Sequence, residues 1–253
     1  MKYKLYNLKK DNKIPKLKKS VALESFDIQP EVEQSASELL KKKFDVIELD
    51  ADRYPEFREF LPAVEWKTNH IRSADCLIFK NNFYKPYNIL ADTLIRIIKK
   101  NVDRVNSQLP VIVIGDYQFI FSVVTKLALS GFIEIIVAPI NADRSELKDL
   151  EVGINSLFFN LNMKIVAIED ITSAEQNAFL MVSNFPKEKN AFAYELLIYF
   201  NYLSEGAVFI DCNSINEASL VEEARKAEIF VIDEVEVLEH KYDYLKELLK
   251  ISP

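Results

Sequence analysis

Apolar residues along this chain fall alternately into short runs of period two and longer runs of period near 3.6, the marks of strands and helices in turn. Residues 3–8 alternate, with Tyr3, Leu5 and Asn7 on one side, and predict a first strand. Ser20 to Phe26 and Glu31 to Lys43 read as helices, Pro30 sitting where a helix start tolerates proline. Phe44 to Leu49 is a second strand, and Phe57 and Phe60 have helical spacing between Pro55 and Pro62. Ala74 to Phe79 is a strand, after which Asn81-Asn82 turns the chain into Phe83-Tyr84. Ile89 to Lys100 is an amphipathic helix with Leu90, Leu94, Ile97 and Ile98 on one face, and the domain boundary is placed there.

Beyond Leu109, the run Val111-Ile112-Val113-Ile114-Gly115 is a buried strand, Ile120 to Leu129 a helix, and Ile133 to Val137 a second strand after Gly131. Strand, turn, helix and strand in this order form the opening βαβ unit of a nucleotide-binding domain. Leu157 to Leu161 and Ile165 to Ile168 are weaker strand candidates, and Phe179 to Ser183 is a buried strand. Ala191 to Leu203 reads as a helix stopped by Gly206. Val208 to Asp211, Glu217 to Ala227, Ile229 to Ile232 and Tyr242 to Leu249 follow as strand, helix, strand and helix. The alternation predicts an α/β protein whose parallel sheet is covered on both faces.

Composition narrows this picture. With 253 residues, 49% hydrophobic and 28% charged, the chain has ample core for one large domain or two modest ones. No apolar run reaches the roughly 20 residues that span a bilayer, and no signal-peptide core opens the chain, so cytoplasm and no membrane are expected. Cys76 and Cys212 lie far apart beside only 2 histidines, which predicts reduced buried thiols and no metal site. The net charge of −7 argues against nucleic acid as a partner. Lysines nevertheless crowd the first 20 residues, as a solvated surface or as a lip for a small anionic molecule. The 4 glycines matter most at the turn Gly115-Asp116-Tyr117-Gln118-Phe119-Ile120, where a dinucleotide-binding unit carries two or three.

Several stretches, taken in order, resemble the shikimate dehydrogenase family. Val208 to Asp211, then Leu220-Val221-Glu222-Glu223-Ala224-Arg225-Lys226-Ala227, then Val231-Ile232-Asp233 with Glu236, Leu238 and His240, is similar to the family's C-terminal part. There an apolar strand ends in Asp, a helix reads L-L-x-E-A-x-x-A, and V-x-D-G-x-x-M-L-x-x-Q follows. Ser73 to Asn81 resembles the G-A-V-N-T-I strand and its turn, and Tyr87-Asn88-Ile89-Leu90-Ala91 falls on Y-N-T-D-G. Ile14 to Lys19 with Ser25-Phe26 falls on P-I-x-x-S-L-S-P and its helix. The resemblance implies an N-terminal three-layer α/β substrate-type domain over 1–92, with 240–253 packing back on it. A C-terminal Rossmann-like NADP-type domain with a parallel sheet would cover 93–239. It also implies hydride exchange between NADP and the C–OH of shikimate or a close relative, with a Lys and an Asp moving the hydroxyl proton.

Carried over residue by residue, the family's site is much altered. Its two carboxylate-binding serines match Lys16 and Lys18, which attract an anion as point charges but build no hydroxyl pocket. Lys67, in Ala63-Val64-Glu65-Trp66-Lys67, is the candidate for the catalytic lysine or else an exposed lysine beside Trp66. The aspartate position falls on Leu90; the nearby carboxylate Asp92 lies about 200° further round an ideal helix. The G-A-V-N asparagine matches Cys76, while Asn88 is kept. The tyrosine after the D-L-x-Y strand matches Ser214, the substrate-binding glutamine matches Lys241, and the glycine of D-G matches Glu234. His240 reads as a partly buried helix residue rather than a catalyst.

At the cofactor end, Gly115, Asp116 and Tyr117 stand at the phosphate turn, where side chains obstruct the backbone and Asp116 repels an anion. N-R-T, whose Arg holds the 2′-phosphate, is replaced by Ala138-Pro139-Ile140, leaving Arg144 as a substitute from further along. N-A-T-P survives in part around Asn184. A kept scaffold with altered ligand motifs predicts a non-catalytic homologue that binds a small molecule or a protein partner and no cofactor. The alternative is an active, divergent NADP-dependent shikimate- or quinate-type dehydrogenase using Lys67 and Asp92. A homodimer is a further expected partnership.

Overall fold

The structure is a computed structural model that describes residues 2–8, 21–29, 35–61, 73–101, 108–172, 177–184, 191–213 and 219–250. The chain divides into two compact units, residues 1–93 with 238–253 and residues 94–237.

Unit 1 is built on five strands: β1 (Tyr3–Asn7), β2 (Phe26–Gln29), β3 (Val46–Glu48), β4 (Cys76–Lys80) and β5 (Phe83–Tyr87), in sheet order β2-β1-β3-β4-β5. The first three run parallel, whereas β4 and β5 are antiparallel, so this sheet is mixed. Alternation sorts its side chains. Leu5, Val46 and Ile78 face a core completed by Phe26, Tyr242, Leu245 and Leu249. Tyr6, Ile47 and Leu77 face the opposite core, with Leu39 and Phe57. These two residues come from the short helices α1 (Ala36–Lys41) and α2 (Tyr54–Arg58). Asn81 and Asn82 both take positive φ, 52° and 67°, the geometry of a tight hairpin turn.

Among the described residues unit 2 carries six parallel strands: β6 (Val111–Gly115), β7 (Glu134–Pro139), β8 (Asn162–Ile165), β9 (Ala178–Asn184), β10 (Leu203–Asp211) and β11 (Phe230–Ile232), ordered β11-β10-β9-β6-β7-β8. Chain order thus reverses between β6 and β9, the doubly wound Rossmann arrangement. Ile112, Ile114, Met181 and Phe209 pack into one core, while Val111, Val113 and Val182 are buried on the other face. Its helices are α4 (Tyr117–Leu129), α5 (Arg144–Leu157), α6 (Ile168–Ile171), α7 (Ala191–Leu197) and α8 (Ser219–Lys226). The dividing points of the two units fall inside α3 (Ile89–Lys100) and α9 (Glu234–Lys250).

Several sequence expectations are corrected. The helical reading of Ser20 to Phe26 is met only by the 3₁₀ turn Val21–Ser25, Ser20 lying outside the described residues; Phe26–Gln29 pairs with β1 instead, with Phe26 buried and Asp27 exposed. The expected helix 31–43 is found as Ala36–Lys41, opened by a Ser35/Glu38 capping box, with residues 31–34 outside those described. Leu157 to Leu161 is not a strand, and the second candidate, Ile165 to Ile168, meets one only at Ile165, the last residue of β8; α5 comes before it and ends at Leu157. The Asp143/Glu146 capping box starts α5, and Leu150 and Ile154 bury it at i, i+4. Gly206 stops no helix. It lies inside β10 with φ 73°, within the register shift between Leu203 and Val208, where the strand needs a conformation that glycine adopts freely. The last helix also begins earlier than expected, at Glu234, because Asp233 caps it through the Glu236 N–H at 3.2 Å.

Candidate functional site

In unit 2 the carboxyl ends of β6, β9 and β10 meet at the point where strand order reverses, the place where this architecture binds ligands. Register puts Gly115 between Pro139 of β7 and Asn184 of β9, and the Ile140 N–H donates to the Gly115 carbonyl at 2.8 Å. Three of the expected cofactor residues, Gly115, Asp116 and Asn184, are therefore together here, with Tyr117 opening α4. Arg144 is exposed in the first turn of α5, immediately after the Asp143 cap.

Two side chains fill the turn itself. Asp116 Oδ1 accepts from the Phe119 N–H at 2.8 Å, so the positive end of α4 already holds a carboxylate. Phe119, 7% exposed, lays its ring over Gly115: a Cβ on that glycine would stand 2.6 Å from Phe119 Cδ1 and 3.2 Å from the Asn184 carbonyl oxygen. The space that a missing side chain leaves at Gly115 is thus taken by the ring of a neighbour in the same turn. Tyr117 adds a second aromatic, tilted against Phe121 with centroids 6.0 Å apart. A pyrophosphate at this turn needs free N–H groups, open space over the glycine and no fixed negative charge. At this turn the Phe119 N–H is already bonded to Asp116, and the Phe119 ring lies over Gly115.

At β10 the Asp211 carboxylate is buried and accepts from the Asn213 N–H at 3.0 Å, while the Cys212 N–H donates to the Ser183 carbonyl at 2.8 Å. Ser214 lies outside the described residues.

Unit 1 has its own buried polar group. Glu48, at the end of β3, is fully buried; Oε1 pairs with the Lys241 ammonium and Oε2 accepts from the Tyr242 hydroxyl at 2.9 Å. Burial pulls the Lys241 pKa down, but the charges of Glu48 and Asp75 outweigh it and the net shift is upward, so the amine stays charged. Burial also raises the Tyr242 phenol, and the Glu48 charge raises it further. Lys241, expected to hold substrate, has its amine paired with Glu48.

Beside this pair, Asp75 caps α3 from a distance, accepting from the Ile89 and Leu90 N–H groups at 2.7 and 2.8 Å. Asn88 is buried and donates from Nδ2 to the Ser73 carbonyl at 3.1 Å. Asp92 is half-buried in α3, and Lys16, Lys18 and Lys67 lie outside the described residues. Sequence reasoning missed Glu48, Asp75 and Tyr242. The available signal was an acid inside an apolar strand, as in Val46-Ile47-Glu48-Leu49, because period two forces such a residue inward with Val46. Among the described residues no group of three or more His, Cys, Asp or Glu could hold a metal ion, and no helix is long and apolar enough to cross a membrane.

These features define a two-unit α/β protein with a Rossmann strand order, and comparisons with known proteins place the fold more closely. No protein-family profile and no curated protein sequence matches the chain. Solved structures do. The shikimate 5-dehydrogenase of Listeria monocytogenes, crystallised with shikimate and NAD, is 12% identical, with a TM-score of 0.74 over 98% of this chain and 96% of that one. The Thermus thermophilus enzyme in complex with NADP(H) and shikimate is 14% identical, with a TM-score of 0.70 over 99% and 95%. The 5-ketofructose reductase of Gluconobacter sp. strain CHM43, ligand-free, is 11% identical, with a TM-score of 0.72 over 98% and 93%. The chain therefore has a shikimate dehydrogenase-like fold in a strongly diverged sequence. At such identities the likeness carries the fold alone.

Proposed function

We propose that this chain is a non-catalytic shikimate dehydrogenase-like protein of the cytoplasm that uses the fold to hold a small anionic molecule or a protein partner. The observation that carries this reading is the turn after β6, where the Phe119 ring covers Gly115 and the Asp116 carboxylate takes the end of α4. A second phosphate-sized anion at that end would meet a fixed negative charge and an aromatic wall. Hydride transfer by this fold depends on a nicotinamide dinucleotide, so a turn that rejects pyrophosphate removes the oxidant.

The alternative, an active NADP-dependent shikimate- or quinate-type dehydrogenase working through Lys67 and Asp92, has one observation in its favour. The parallel strand order that carries dinucleotides elsewhere is intact. Under that reading Gly115, Tyr117, Asn184 and Arg144 would have to hold NADP after Phe119 and Asp116 moved aside. Incubation of the protein with NADP and either shikimate or quinate separates the two. No NADPH above the buffer rate is expected; turnover that disappears in Lys67→Ala would establish the dehydrogenase instead.

A further inference from the structure

Glu48 makes a pairing that stability alone does not require. An ion pair taken fully out of water recovers its desolvation cost only with good geometry, and apolar replacements of similar volume are often as stable or more so. Lys241 and Tyr242, adjacent on α9, together present an ammonium and a hydroxyl donor, one to each oxygen of a single carboxylate. That donor pair is what a bound carboxylate would need. Its occupant comes from β3, opposite Cys76 in the β3–β4 register. Asp75 adds a second negative charge that acts on Lys241.

We propose that Lys241 Nζ and the Tyr242 hydroxyl form a seat for a single carboxylate, and that Glu48 is a tethered ligand filling it from within the chain. Unit 1 is thereby held in a self-liganded state, and a free carboxylate enters only when Glu48 is removed. This extends the proposed function to a second site but rests on unit 1 alone. NADP turnover would leave it standing, and its own failure would leave the reading of the Gly115 turn untouched.

Chemical rescue tests it. Thermal unfolding of the full-length chain is followed in sodium formate and in sodium chloride at equal ionic strength. Glu48→Ala opens a formate-sized space beside Lys241; Glu48→Gln fills the space without the charge; Glu48→Ala/Lys241→Met removes the cation. Formate should raise the Tm of Glu48→Ala by about 3–6 °C over chloride at ten times its dissociation constant. The wild type, Glu48→Gln and the double variant should show no difference between the salts. Equal behaviour of Glu48→Ala in both salts, or a formate gain in the wild type as large as in Glu48→Ala, overturns the proposal. If Glu48→Ala is insoluble when expressed, its recovery on refolding gives the same discrimination. Recovery in formate and not in chloride supports a seat, and recovery in neither overturns it.

Discussion

Phe119 and Gly115 illustrate how much one contact decides. The ring fits because the glycine lacks a Cβ, and the nearest wall on the other side is backbone, the Asn184 carbonyl. Gly115→Ala should therefore destabilise the protein by about 1–3 kcal/mol through overpacking. Phe119→Ala should cost about 3–5 kcal/mol through the emptied space. Because the alanine methyl would partly refill that space, the double variant should lose less than the sum, with a coupling of about 0.5–3 kcal/mol in denaturant unfolding. Strictly additive losses would show that the two residues do not share the space. The sequence revealed that bulky side chains crowd this turn, since a Tyr and a Phe stand where glycines would be expected. It did not reveal which ring lies over Gly115, because that depends on the rotation of α4. Glu48 was less legible still: burial followed from its strand, but its partner Lys241 is 193 residues away, and nothing local points to it.

Several helix starts in both units are satisfied by the chain's own carboxylates, although α2 and α6 have no side-chain cap. Glu38 with Ser35, Asp116, and Asp143 with Glu146 act locally on α1, α4 and α5, whereas Asp75 reaches α3 from another strand. Asp143→Ala on the exposed α5 should cost about 1 kcal/mol in urea unfolding. Asp75→Ala orphans the Ile89 and Leu90 N–H groups, so it should cost more, about 1–3 kcal/mol for each unsatisfied buried donor. Equal losses would mean that water replaces Asp75. Elements with strong periodicity were legible, among them β6, α3 and the hairpin at Asn81-Asn82. The errors cluster where local signals compete. Phe26–Gln29 is too short to separate strand from helix without its partner β1, and α5 carries Gly153 in its interior. That glycine is where the Phe121 ring of α4 packs, 2.8 Å from the position of a Cβ. Helix propensity alone would make Gly153→Ala a gain of about 1 kcal/mol; the contact predicts a net loss instead.

Across the described residues each sheet has its own buried core, and buried titratable side chains accompany it. The buried phenols and Lys241 give this a pH signature. Folding raises the pKa of Lys241 and, by burial, those of Tyr84, Tyr202 and Tyr242. A raised folded value contributes stability that is complete below the unfolded pKa, about 10 for Tyr and 10.4 for Lys, and is lost as pH rises toward the folded one. Stability should not vary through these groups between about pH 5 and 9, then fall steeply above about pH 10. Lys241→Met should shallow that alkaline fall by about one proton, measured as urea midpoints against pH; an unchanged slope would show that Lys241 does not titrate with unfolding. Whether the turn after β6 admits a dinucleotide is answered directly by calorimetric titration of the wild-type protein with NADPH. The heats should be no larger than those of dilution. Saturable one-to-one binding, weakened by Arg144→Ala, would contradict this.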